Sequence, residues 1–141
     1  MSTILVNTLT GTSTAGSIAV TGEGNSTTTN LQQGLAKAWI NFNGTGTIAS
    51  RDSFNVGSLT DNGTGDYTLN FSNNMNNANY FGNTGAAAGA SASTFSSPYT
   101  GASFSSSAPT TSAFRYANFH YNSATYKDVD YTSASIKGDL A

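Results

Sequence analysis

Between Ala36 and Tyr80 the chain reads AKAWINFNGTGTIASRDSFNVGSLTDNGTGDYTLNFSNNMNNANY, a succession of short apolar and polar alternations interrupted by glycine. A two-residue repeat sends successive side chains to opposite sides of an extended backbone, so this stretch folds as half-buried β-strands and not as helices. Ala36, Ala38, Ile40 and Phe42 share one face, with Lys37, Trp39 and Asn41 on the other. Tyr67, Leu69 and Phe71 alternate in the same way with Asp66, Thr68 and Asn70. Asn43 to Gly46 reads as a turn, and Thr47 to Ser50 and Phe54 to Leu59 as strand-like chain. Asp61, Asn62 and Gly63 read as a hairpin, because Asn and Gly tolerate the positive φ of tight turns. Trp39 stands on the more polar face, either as an aromatic tucked under a loop or as a contact between subunits.

The flanks are poorer in apolar residues. The first thirty or so are rich in Thr, Ser and Gly, with β-prone islands at Ile4 to Leu9 and Ser17 to Val20. Residues 1–33 are therefore expected to be an extended arm that orders against a neighbour, with a flexible tail as the alternative. Asn30 to Leu35 allows one brief helical turn, weakened by Gly34. Residues 34–141 form the expected β-domain. Within it, 82–112 is nearly all Gly, Ala, Ser and Thr, with Phe95, Tyr99 and Phe104 isolated among them. This segment reads as a low-complexity linker, as a pair of edge strands, or as a recognition loop in which those three aromatics contact a receptor. Ala113 to Tyr121 returns to strand character with aromatics on both faces, and Val129 to Ile136 is β-prone again.

Leu, Ile, Val and Phe make up 24 of the 141 residues, few for a globular core, while a net charge of -2 leaves no self-repulsion to keep the chain expanded. At about 25 cal/mol per Å² of apolar area buried, a lone copy gains little. The sequence therefore predicts an all-β fold, a small antiparallel sandwich or barrel with an extended N-terminal arm, assembled as a homotrimer. Its aromatic-rich contacts between copies would involve Ile4, Val6, Trp39, Phe114 and Tyr116. Closure of a symmetric assembly would also cover sheet edges.

Other chemistry finds little footing. Lys37, Arg51, Arg115, Lys127 and Lys137 are scattered, which argues against nucleic acid. The chain contains no cysteine, hence no disulfide or thiolate site. Ile4 to Val6 is too short for the core of a secretion signal, and no run is long enough to cross a membrane. A cytosolic protein fits that pattern, and so does one carried outside within a released particle. His120, among aromatics in a strand, reads as structural and not as a general base. Asp128, Asp130 and Asp139 read as exposed carboxylates in preference to calcium ligands. Asp61 to Asp66 reads as a turn, and the sequons at Asn25, Asn43, Asn62 and Asn70 as turn and strand residues. No catalytic residue, cofactor or metal is expected.

Two stretches, GLAKAWINFNGTGT from Gly34 to Thr47 and RDSFNVGSLTDNGTGDYTLNF from Arg51 to Phe71, resemble a module of tail-fibre and related structural proteins of phages, especially those infecting aquatic bacteria. STILVNTLTG at the start is similar more weakly, and Asn76 stands where that module has a proline after the methionine. The resemblance implies a virion component, often trimeric, at the tail fibre or tail tip and facing the host. Its partners would be further copies, another virion protein met by the arm, and a host-surface glycan or protein. Capsid decoration, a head fibre or an adaptor is the alternative, and a secreted glycan-active enzyme a distant third.

Overall fold

The computed structural model describes residues 4–14, 16–87, 96–99, 108–120 and 125–141. The chain divides into two units, Met1–Leu35 and Ala36–Ala141.

In the first unit, strands β1 (Ala19–Thr21) and β2 (Thr28–Asn30) form an antiparallel hairpin. Asn25 turns it with φ 56, a conformation that Asn adopts at low cost. The Asn30 side chain then caps a single helical turn, α1 (Leu31–Gly34), accepting from the backbone N–H of Gln32 and Gln33 at 2.9 and 3.3 Å. The stretch expected to be a plain extended arm thus has local structure. It has no buried residue among those described.

The second unit is a two-layered, sandwich-like β-fold in which every strand pair is antiparallel. Its strands are β3 (Ala36–Asn43), β4 (Ala49–Phe54), β5 (Val56–Gly63), β6 (Asp66–Phe71), β7 (Phe81–Ala87), β8 (Ser96–Tyr99), β9 (Ala113–His120), β10 (Thr125–Tyr126) and β11 (Tyr131–Lys137). One sheet runs β4-β3-β11-β7, and the other β10-β9-β6-β5 with β8 also paired to β9. Strands β7 and β8 give the edge-strand reading of 82–112 for the part that is described.

Side-chain alternation does what the sequence predicts in β3 and β6. Ala38, Ile40 and Phe42 face Tyr67, Leu69 and Phe71 across the layers, joined by Met75, Phe114, Tyr116, Ala134 and Ile136. The interior is aromatic, with the Phe42 and Tyr67 rings edge to face at 5.1 Å and Phe114 stacked on Tyr116 at 6.0 Å. One expectation is corrected. Phe114 and Tyr116 are not contacts between copies but core residues, because β9 pairs with β6 in the register Leu69↔Phe114 and Tyr67↔Tyr116, which turns both rings inward. Among the described residues the buried cluster of a single chain holds eleven side chains.

The hairpin between β5 and β6 is corrected by two residues. Asp61 to Gly63 stays within β5, and the turn is Thr64 and Gly65. Gly65 has φ 67, and a Cβ there would lie 2.6 Å from the Lys127 backbone nitrogen, so only glycine fits. The chain passes from one sheet to the other at Asn55, between β4 and β5, where φ is 56. Its amide donates to the carbonyls of Lys37 and Asn73 at 2.9 and 3.0 Å, and its Oδ1 accepts the Asn73 N–H at 2.7 Å.

Candidate ligand-binding face

Three surfaces can be built from the residues upward. The first is the end of the sandwich where the loop before β11 meets two turns. The Tyr67 hydroxyl lies 2.8 Å from both the Gly44 carbonyl and Asp128 Oδ1, which also accepts the Gly65 N–H at 2.6 Å. Burial, then the bond to Asp128, pushes the Tyr67 hydroxyl well above the usual tyrosine range. Asp128 is thus committed to holding turns together. Asp130 goes elsewhere, its carbonyl accepting Arg51 Nη1 at 2.6 Å and its carboxylate receiving Thr45 Oγ1 at 3.4 Å. Asp139 acts on Lys37, partly offsetting the burial that lowers that lysine's pKa. The three carboxylates do not converge, and among the described residues no group of three His, Cys, Asp or Glu is placed to hold a metal ion.

The second surface is the outer side of the sheet containing β5, β6 and β9. It is a polar lattice: Asn62 donates to Thr68 Oγ1 at 2.8 Å, Asn70 to Ser58 Oγ and Thr60 Oγ1 at 3.1 Å, and Arg115 Nε to Asp66 Oδ1 at 2.9 Å. The bond to Asp66 raises the Arg115 pKa. These groups satisfy one another, which stabilises the face and leaves little for a ligand. Asn70 is a strand residue, as the sequence suggests, and so is Asn62, which the sequence places in a turn.

The third surface is the outer side of the β4-β3-β11-β7 sheet. With Ala38, Ile40, Phe42, Ala134 and Ile136 inward, the register turns Trp39, Asn41, Ser133 and Ser135 outward. Trp39 pairs directly with Phe54 on β4 and Ser135 on β11, and Ser135 with Asn83 on β7. Directly opposed side chains sit about 5 Å apart at Cβ. Trp39 is 37% exposed and Phe54 51%, so two large aromatic residues, opposed across the ladder, both present part of their surface to solvent. Two residues along, Asn41 pairs with Asp52. Between Asp52 and Ser50 the β4 register slips by one residue, and this irregularity re-aims Arg51, whose guanidinium sits 4.2 Å over the Tyr131 ring. Phe81 and Tyr131 are exposed on the same side, but strand spacing puts them about 12 and 14 Å from Trp39.

Of the residues read from sequence, Trp39 lies on the outer face of this sheet, opposed to Phe54. Ile4 and Val6 are exposed in the first unit, Ile4 at 83%. Tyr99 ends β8 with its backbone paired to Ala117, and its side chain is outside what is described, as is that of His120 at the end of β9. Phe95 and Phe104 lie outside the described residues. Lys37, expected on the polar side, is buried. Sequence reasoning missed Phe54, because nothing local to Ser53–Phe54–Asn55 says which residue of β3 it will oppose. No protein-family model matches the chain, and neither a curated protein nor a solved structure matches it at a significant level.

Proposed function

We propose that the protein is a structural subunit of a bacteriophage virion, at the tail fibre or tail tip, that attaches the particle to a host surface. The observation that carries this reading is the division of the chain into a unit with its own aromatic core and a preceding unit that has none. In Met1–Leu35 the large apolar side chains Ile4, Leu5, Val6, Leu9, Val20 and Leu35 are all exposed, and Glu23 is its one charged side chain. Apolar surface left open without charge is suited to burial against protein. The first unit then serves as the anchor, packing against further copies in a homotrimer and against another virion protein, and the second presents a surface outward. Multiple copies on one particle would convert weak individual contacts into firm attachment. The resemblance of Gly34–Thr47 and Arg51–Phe71 to the phage module supports the same reading.

The test is competition. Purified protein added to host cells is expected to reduce adsorption of the phage, and antibody against it is expected to label tails in electron micrographs. The same anchoring unit also suits a decoration, head-fibre or adaptor protein with a structural role alone. Label spread uniformly over the head, with adsorption unaffected by the free protein, would select that second reading.

A further inference from the structure

The Trp39 and Phe54 rings stand open on a sheet whose core needs neither of them, and polar side chains surround them at strand spacing. We propose that this face of the β4-β3-β11-β7 sheet is a saccharide-binding platform. Trp39 and Phe54 stack against the C–H side of one or two neutral pyranose rings, and Asn41, Asp52, Ser135 and Asn83 bond to the hydroxyls. The proposal rests on the reading of the chain as an attachment protein and names the class of ligand it attaches to.

The occupant follows from three properties of the face. A pyranose is amphipathic at the scale of one ring, with axial C–H groups on its sides and hydroxyls around its rim. The register reproduces that pattern: the Trp39↔Phe54 pair is flanked by Asn41↔Asp52 two residues along and by Ser135 and Asn83 on the next two strands. Charge is the second property. Asp52 is the sole charged side chain among these six, and Arg51 is held over Tyr131 and the Asp130 carbonyl. Beyond these six, Lys137 stands exposed two residues from Ser135 while Lys37 is buried, so one lysine and one aspartate balance on the face and a neutral sugar fits better than a polyion.

The third property is area, which argues against a second copy of the chain on this face. A large aromatic offers about 150–250 Å², so Trp39 and Phe54 at their exposures present on the order of 200 Å² of aromatic surface between them. A stable protein interface removes about 800 Å² from each partner. Phe81 and Tyr131 stand too far off to extend the patch. Two adjacent rings match a disaccharide, not a subunit.

Trp39 is the single tryptophan, so its fluorescence reports on this face alone. The full chain is titrated with neutral hexasaccharides of glucose, mannose, galactose and N-acetylglucosamine, with a sulfated hexasaccharide as the charged control. At least one neutral oligosaccharide is expected to shift Trp39 emission saturably, at protein concentrations where the emission is otherwise constant. Phe54→Ala, followed by the same fluorescence, and Trp39→Ala, followed by calorimetry, are each expected to weaken binding about tenfold. Unchanged circular dichroism establishes that the variants are folded. If a variant unfolds, Phe54→Leu and Trp39→Leu keep apolar bulk, remove the ring and carry the same expectation.

No response to any neutral sugar, binding of the sulfated control alone, or full affinity in the ring-less variants would each overturn the platform. Emission that shifts with protein concentration alone would also overturn it, in favour of a contact between copies. Failure of the attachment reading looks different: sugar binding persists and depends on both rings, but phage carrying Phe54→Ala adsorbs normally. If instead free protein blocks adsorption and no sugar binds, attachment stands and the platform falls.

Discussion

At the scale of single residues, close packing and ionisation set the margins of this fold. Gly82 lies against the core, where an added Cβ would come within 2.6 Å of Phe114 Cζ and 3.3 Å of Ile136 Cδ1. Gly82→Ala is therefore expected to destabilise the second unit by about 1–3 kcal/mol, read from the urea midpoint, because overpacking pushes a stacked ring off its rotamer. Burial also pushes the Tyr80 hydroxyl up to about 12. A folded pKa above the unfolded value of 10 means that the native state holds protons the unfolded chain releases. The associated stability is complete below pH 10 and disappears as pH rises toward 12; Tyr67 and Tyr116, raised by burial, act in the same direction. Unfolding is accordingly expected in alkali, with tyrosinate absorbance and loss of circular dichroism rising together. All tyrosines titrating with a midpoint near 10 in a chain that stays folded would contradict it.

Among the elements, the joint between β4 and β5 carries the most information for its size. One residue, Asn55, switches the chain between sheets, and it combines a positive φ with side-chain bonds to Lys37 and Asn73. Asn55→Gly keeps the backbone conformation and loses the bonds, whereas Asn55→Ala loses both. The expected order of thermal stability is wild type, Gly, Ala, with Ala about 2–4 kcal/mol below wild type. An alanine variant as stable as the glycine variant would show that the φ preference is immaterial. This joint is also where sequence reading reaches its limit. The inward faces of β3 and β6 are legible because alternation is a local property, visible in Ala38, Ile40, Phe42, Tyr67, Leu69 and Phe71 alone. The inward turn of Phe114 and Tyr116 depends on register with a strand more than forty residues away, and Phe54 to Leu59 reads as one strand from sequence although the left-handed Asn55 divides it, leaving Phe54 at the end of β4. The candidate site shares that dependence, since Trp39 could be singled out from sequence and its neighbour across the ladder could not.

For the molecule as a whole, the two units make separable demands. Residues 36–141, expressed alone, are expected to keep the β-sheet circular dichroism and a cooperative melt, because the buried cluster lies entirely within them. Self-association measured by light scattering is expected in the full chain and lost in that fragment. A fragment that associates as strongly as the full chain would move the anchor out of Met1–Leu35. The placement of the joint between the units bears on how tension would be carried. Leu35 leads directly into β3, which is bonded on one side to β4 and on the other to β11. A pull transmitted from an anchored N-terminus along the axis of β3 strains hydrogen bonds to both neighbours at once, in shear, instead of peeling them singly from a free edge. Were the protein the attachment subunit proposed above, that geometry would distribute mechanical load over the middle of a sheet.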